Sequence, residues 1–399
     1  MDNPLVRRMR PFGTTIFTTM SELAARTGAV NLGQGFPDTN PPPWVQDLVT
    51  DAMARGINQY PQLFGAPALR EAIAEHQRRF YGLDVDPDRE VLVTFGATDA
   101  LACSLAALVE AGDEVVVIEP AFDVYTAGIT LAGGVQVGVP LRLPDLSLDE
   151  EALAAAITPR TRAILLNTPH NPTGKIFTRD ELAAIGRLAV RHGIWILSDE
   201  VYEHLAFDAP HVPMASLSRE VPGLDQWVLT ISSAGKTFSV TGWKVGWIAG
   251  PAPAVRAAAQ IKQFTSFTGG APFQPAIAAA LGQPEEAYAE LNDGMRRRRD
   301  LLAEGLSAAG FRLVGGHATY FQVADTAPLG IADAAQFCRE MPAKYGVVAI
   351  PVSAFCSDPG YARTLIRFAY CKRPDVLEEA SRRLAPLAHA RPAAAPSTR

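Results

Sequence analysis

Lys236 stands in the stretch Ser232-Ser233-Ala234-Gly235-Lys236-Thr237-Phe238-Ser239-Val240-Thr241-Gly242-Trp243-Lys244, directly after an apolar run over 227–231. A lysine acts as a covalent catalyst when it is partly desolvated and close to other cations, because its amine then loses its proton near neutral pH and condenses with a carbonyl. Hydroxyl residues before it, a glycine that lets the backbone pass close to a ligand, and a second cation at Lys244 supply that setting on a loop past a strand end. The same residues also fit an exposed lysine on a turn.

Five other clusters carry possible chemistry. Ser198-Asp199-Glu200-Val201-Tyr202 follows a wholly apolar run over 194–197. A carboxylate at the end of a buried strand needs a cation or donors, since burying it alone costs several kcal/mol; a helix N-cap is the competing role for Asp199. In Asn167-Thr168-Pro169-His170-Asn171-Pro172-Thr173-Gly174 two prolines fix the backbone so that both asparagines can point the same way, although Asn-Pro also marks ordinary turns. Thr94-Phe95-Gly96-Ala97-Thr98-Asp99 reads as strand, glycine turn and helix start, the geometry that binds an anion at a helix N-terminus and equally that of a plain strand-to-helix turn. Arg367 lies within the apolar Leu365-Ile366-Arg367-Phe368-Ala369 and must find an anion, from a ligand or from the protein itself; its planar fork suits a carboxylate. In Gly33-Gln34-Gly35 two glycines allow close approach to a ligand, or simply form a loop. On residues alone Phe122 reads as core and Tyr60 as a packing aromatic.

These side chains need a scaffold. Strands are expected over 90–95, 114–119, 135–139, 163–167, 194–198 and 227–231, with helices over 99–110, 125–132, 148–156 and 179–191 between them. Short apolar strands separated by helices imply an α/β fold with a mostly parallel sheet and helices on both faces. Ligands in such sheets bind beyond the carboxyl ends of the strands, where Asn171, Asp199 and Lys236 fall. Residues 1–44 are rich in proline and read as an extended arm with one short helix near 16–27. Further helices are expected over 44–55, 68–81, 253–267, 275–281 and 285–309, then strands over 320–323, 347–350 and 364–369 with helices over 332–345 and 375–387. At 399 residues the chain exceeds what one core usually holds. The expected division is a large α/β domain over 45–284, a smaller α+β domain from 1–44 with 285–387, and a frayed tail over 388–399.

Bulk properties narrow the function classes. A net charge of −6 gives no general attraction to nucleic acid or an anionic membrane. The basic run 296–299 reads as a solvated helix face or a subunit contact. No run of about eighteen apolar residues and no apolar signal region near Met1 is present, so neither membrane insertion nor export is expected. Cys103, Cys338, Cys356 and Cys371 form no CxxC or metal-type spacing, so no metal is expected and the thiols read as reduced, in a cytoplasmic protein.

The Lys236 stretch resembles the Schiff-base segment of class I/II aminotransferases, the fold-type I enzymes that use pyridoxal 5′-phosphate (PLP). It is most similar to the branch holding kynurenine and glutamine aminotransferases and bacterial N-succinyldiaminopimelate aminotransferases, and the likeness runs from Gly33 to Arg367. The resemblance implies that Lys236 joins the cofactor and then serves as general base. By the same likeness Asp199 faces the ring nitrogen, Tyr202 and Asn171 bond O3′, Phe122 stacks on the ring, and Gly96, Ala97, Thr98, Ser233 and Lys244 hold the phosphate. Tyr60 would reach the phosphate of a neighbouring subunit, hence a homodimer with shared sites. Arg367, Asn171 and Gly35 would take the substrate carboxylate. His170 stands where relatives often carry Asn, and no role follows for it. The implied reaction is ping-pong amino transfer from an L-amino acid of aromatic, sulfur-containing or N-acyl diamino acid type to a 2-oxo acid such as 2-oxoglutarate. The alternatives are β-elimination from cysteine conjugates or oxidation on the same scaffold, and a PLP-binding regulator; hydride transfer lacks a GxGxxG after the first strand. Side-chain selection is expected from 14–17, 62–65 and 264–270.

Overall fold

Runs such as Val115-Val116-Val117-Ile118 and Ile164-Leu165-Leu166 have no polar alternation, the pattern of strands covered on both faces. In the computed structural model, which describes residues 4–389, they form interior strands of a seven-stranded sheet. Its order is Val91–Phe95, Val245–Ala249, Val228–Ser233, Trp195–Asp199, Thr161–Asn167, Glu114–Glu119, Val135–Pro140. Helices including Gly96–Leu108 and Arg179–His192 flank it, with the apolar clusters of the large core on its two faces. The α/β reading and its mostly parallel sheet hold.

Val245–Ala249 is the exception, antiparallel to both its neighbours. The strands expected from the sequence do not include this segment. Its place depends on a contact remote in sequence: a Cβ on Gly246 would lie 2.5 Å from the carbonyl carbon of Gly96. Only glycine lets the strand run against the Gly96 turn.

Register explains why the polar residues meet. Asn167 pairs with Asp199, and Asp199 with Ile231, so the parallel strands bring Asn167 and Asp199 side by side at their carboxyl ends while Ser233 closes the next strand. Lys236 then lies in a one-turn helix, Ala234–Thr237, rather than on the expected open loop.

A second, four-stranded antiparallel sheet runs Ile350–Pro351, Leu365–Ala369, Phe321–Asp325, Arg312–Val314. The strand Arg312–Val314 was not anticipated from the sequence. The N-terminal arm joins this half of the chain, since Val30–Asn31 pairs in parallel with Val347–Val348. Its helix Ile16–Thr27 is capped by the Thr15 side chain, which accepts from the Thr18 amide, and stopped by Gly28 in the left-handed region. Met20, Ala24 and Leu32 share one apolar cluster with Leu306, Ile350, Phe368 and Leu377; each such fully buried side chain contributes roughly 1.5–3 kcal/mol. Arg299, in the long helix Glu285–Ala308, is not the solvated face expected of the basic run: it clamps Asp208 at 2.9 Å. Of the expected tail, 388–389 close the 3-10 turn Ala385–His389, and 390–399 lies outside the described residues. No helix among the described residues is long and apolar enough to cross a membrane.

Candidate active site

The strand ends open into a cavity walled by Asn171, Asp199, Tyr202 and Lys236 on the sheet side, Gly96, Ala97, Thr98, Ser233 and Lys244 at one end, and Gly35, Phe321 and Arg367 at the other. Phe122 lines it as well. Twelve of the thirteen site residues singled out from the sequence therefore meet around one space; the one left outside is Tyr60. Tyr60 is 79% exposed and rests edge-on against Phe267, at 5.5 Å between ring centres.

Lys236 donates from Nζ to the Tyr320 hydroxyl at 2.7 Å. Burial lowers its pKa to about 8, with Cys371 and Asp199 opposing and Lys244 and Arg367 reinforcing the fall. The amine is thus closer to its neutral, nucleophilic form at pH 7 than an exposed lysine.

Asp199 is buried, and burial pushes its pKa up to about 6. Two donors oppose that rise: the Tyr125 hydroxyl at 2.7 Å and the Val201 amide at 3.3 Å. The amide bond is a weak remnant of the N-cap alternative. Asp199 is the last residue of its strand and precedes no helix, so capping does not explain it. Tyr125 is a functional contact that sequence reasoning missed. The available signal was its spacing of three from Phe122, which puts both on one side of the helix Asp123–Ala132.

Arg367 is 1% exposed. Its two terminal nitrogens donate to Asn171 Oδ1 at 2.9 Å and to the Gly33 carbonyl at 2.8 Å, while Nε is buried without a partner. Its guanidinium carbon lies 3.9 Å from the centre of the Phe321 ring. No carboxylate among the described residues comes within 4.0 Å, which removes the structural ion pair as an explanation. A buried guanidinium with no carboxylate in contact, Asp123 acting on it only from beyond that distance, is costly to maintain and is matched to an anion brought from outside.

At the opposite end the helix Gly96–Leu108 begins on the cavity, with Gly96 at φ +70°. A Cβ there would lie 3.3 Å from Lys244 Nζ. Gly96 thus leaves room for a cation beside the first amides of a helix, the arrangement that binds a phosphate. Gly35 is equally constrained, because a Cβ would run into the Phe321 ring.

His170 is buried outside the cavity, bonded through Nδ1 to Thr173 Oγ1 at 2.7 Å. One group of metal-capable side chains exists among the described residues, His76, Glu203 and His204, also away from the cavity. Its polar atoms already engage one another: the two Nε2 atoms are 2.7 Å apart, and Glu203 accepts from Tyr81 at 2.8 Å and Ser232 at 2.6 Å.

Comparison with known proteins agrees with this geometry. The model of the family "Aminotransferase class I and II" matches residues 27–384. The probable N-succinyldiaminopimelate aminotransferase DapC of Mycobacterium tuberculosis is 49% identical over 97% of this chain and 99% of its own. Its solved structure superposes with a TM-score of 0.93, covering 96% of this chain and 100% of that one. Methionine aminotransferase of Escherichia coli is 38% identical, covering 96% of this chain and 99% of its own, and mouse kynurenine–oxoglutarate transaminase 3 is 37% identical, covering 94% and 88%. All three are named for amino transfer, which disfavours elimination or oxidation as the main activity. The chain belongs to the class I and II aminotransferases, fold-type I enzymes that use pyridoxal 5′-phosphate to move amino groups between amino acids and 2-oxo acids.

Proposed function

We propose that the cavity transfers the amino group of an L-amino acid of aromatic, sulfur-containing or N-acyl diamino acid type to 2-oxoglutarate or a similar 2-oxo acid, by alternating half-reactions at Lys236. The observation that carries this reading is the buried Arg367 with an idle Nε across the cavity from an amine tuned towards neutrality.

The residues present fit PLP. Asp199 is a buried carboxylate touched only by neutral donors, which suits a protonated ring nitrogen. The glycine turn at Gly96 beside Lys244 suits the phosphate, with Ala97, Thr98 and Ser233 around it. When bound, PLP supplies an aldehyde that joins amines and a ring that takes up the electron pair left at the substrate Cα. Asp199 would keep the ring nitrogen protonated, Tyr202 and Asn171 would bond O3′, and Phe122 would cover one ring face. Asn171 has its Oδ1 committed to Arg367, so its amide hydrogens are free for that role. Arg367 holds the substrate carboxylate and Gly35 closes over it. Lys236 Nζ, once released, would take the proton from the substrate Cα and pass it to the former aldehyde carbon of the cofactor.

Supports for the donor class are the apolar wall formed by Phe17, Phe122 and Phe321 and the relatives named for N-succinyldiaminopimelate, methionine and kynurenine. We further propose a homodimer in which Tyr60 serves the partner's phosphate. Its outward-facing ring, with Phe264 84% exposed nearby in sequence to its contact Phe267, supports that reading. The division into 45–284 and 1–44 with 285–387 is proposed on the shared apolar cluster that ties the arm to the C-terminal half, and a cytoplasmic location on the reduced cysteines.

Purified protein loaded with PLP is to be assayed with N-succinyl-diaminopimelate, methionine, kynurenine and glutamate as donors against 2-oxoglutarate and pyruvate, alongside Lys236→Ala. Turnover of one long-chain donor, lost together with the visible band of the lysine-bound cofactor in Lys236→Ala, is expected. Full turnover in the variant, or activity with short dicarboxylic donors alone, overturns the reading.

A further inference from the structure

We infer that Tyr320 is a positioning residue for the catalytic amine: its hydroxyl oxygen holds Lys236 by one N–H from outside the cavity, leaving the nitrogen lone pair directed inward. The inference rests on the reading of Lys236 as the amine of amino transfer, and deepens it.

Nζ of Lys236 donates to the Tyr320 oxygen at 2.7 Å. The Tyr320 hydroxyl proton is itself committed, to the Gly35 carbonyl at 2.5 Å. With its single proton spent, the phenol can only accept from the lysine. Tyr320 is 0% exposed, and Lys236 but not Tyr320 lines the cavity. The held N–H therefore points away from the space where substrate binds. The phenol is itself rigid, its ring fixed edge-on by Tyr202 at 5.2 Å and by Phe321 at 4.8 Å between centres.

A released lysine on a four-carbon stem has many rotamers, few of which aim a lone pair at a substrate Cα. One fixed acceptor behind the nitrogen removes most of that freedom. The proton leaving Cα then goes to the inward lone pair, and the electron pair stays with the substrate. The same bond links the amine to Gly35, next to the carbonyl of Gly33 that Arg367 holds, so the base and the carboxylate end share one stretch of backbone.

The charged and titratable groups facing Lys236 are Asp199, Cys371, Lys244 and Arg367, with the Tyr202 ring 5.6 Å from Nζ. An acceptor stabilises the ammonium form, so removing it lowers the amine's pKa further below that of an ordinary lysine. Loss of a purely structural hydroxyl has no such consequence.

The test is Tyr320→Phe in the full-length protein. In the PLP-loaded enzyme kcat is expected to fall about 10- to 100-fold, with the donor KM changed less than about threefold and the kinetic isotope effect of Cα-deuterated donor increased. In the same protein freed of PLP, the pH dependence of Lys236 acylation by acetic anhydride, followed by peptide mass spectrometry, should report a lower amine pKa than wild type. Site-specific 3-fluorotyrosine at position 320, which keeps the shape but weakens the acceptor, should shift both readouts the same way by less and covers the case in which the phenylalanine variant fails to fold. An unchanged amine pKa with an unchanged isotope effect overturns the inference. A shifted amine pKa in a wild-type protein that transfers no amino group would instead sink the functional reading while leaving the hold on the amine intact.

Discussion

Arg367→Lys keeps the positive charge and removes the fork. The guanidinium now spends one nitrogen on Asn171 Oδ1 at 2.9 Å and another on the Gly33 carbonyl at 2.8 Å, and still has Nε in reserve. A lysine offers a single nitrogen on a longer flexible stem, so any carboxylate it binds is bound in place of these two contacts or at a poorer angle. A hydrogen bond to a charged group is worth about 1.5–3 kcal/mol, which corresponds to roughly a 10- to 150-fold loss in kcat/KM. On the proposed reading both half-reactions place a carboxylate at this guanidinium, so the loss should fall on the amino donor and on the 2-oxo acid alike. The assay is steady-state kinetics with both substrates varied, with the absorbance of the bound cofactor as the control, since the hydrogen bonds of Arg367 go to Asn171 and Gly33 and not to Gly96 or Lys244. A drop confined to the donor, or a change below about threefold in both, would refute the assignment of Arg367 as carboxylate site.

Two further outcomes follow from contacts elsewhere in the chain. Gly246→Ala places a methyl 2.5 Å from the Gly96 carbonyl carbon and 2.8 Å from the Ala97 amide nitrogen; overpacking of this kind costs about 1–3 kcal/mol and should lower both Tm and PLP affinity, whereas an unchanged affinity measured by fluorescence titration would detach this turn from phosphate binding. Acid should destabilise the PLP-free protein between pH 6.5 and about 3: burial lowers the pKa of His170 and of His204 from 6.5 to about 3, so across that window the unfolded chain binds protons the folded chain refuses. Glu203, raised by its own burial yet lowered on balance by His76, His204 and the Ser232 hydroxyl, adds to the loss as pH falls, while Asp199, raised to about 6, partly offsets it. A Tm as high at pH 4.5 as at pH 8, read by calorimetry, contradicts this, and His170→Asn should flatten the dependence.

The parallel strands were legible because a strand covered on both faces shows as an uninterrupted apolar run, and the polar residues that follow such runs, Asn167, Asp199 and Ser233, had nowhere to go but the carboxyl edge of the sheet. What stayed hidden depends on pairs remote in sequence. The antiparallel strand Val245–Ala249 is set by Gly246 meeting Gly96. Tyr125 and Tyr320 read as ordinary aromatics until the fold brings one to Asp199 and the other to Lys236. The loop expected at Lys236 is a turn of helix because Ala234 to Thr237 close on themselves, with the Phe238 amide bonded to the Ala234 carbonyl at 3.0 Å. Tyr60 was singled out only through the family likeness, and within one chain it stays outside the cavity.

The chain as a whole carries a net charge of −6, yet its cavity gathers Lys236, Lys244 and Arg367 against the single carboxylate of Asp199. The two scales do different work. The overall charge repels polyanions at a distance, and with a screening length of about 8 Å at physiological salt it says little about a recess walled by protein. Inside that recess the cations are held apart, Lys244 beside the Gly96 turn and Arg367 against Phe321, so an anion with one charged end fills only part of the site. On the proposed reading a phosphate beside Lys244 and a carboxylate at Arg367 satisfy both, and Lys236 is left as the group that reacts. Holding these cations in a buried recess with no carboxylate in contact with Arg367 is costly, which is why that arginine is a stronger pointer to function here than the sign of the total charge.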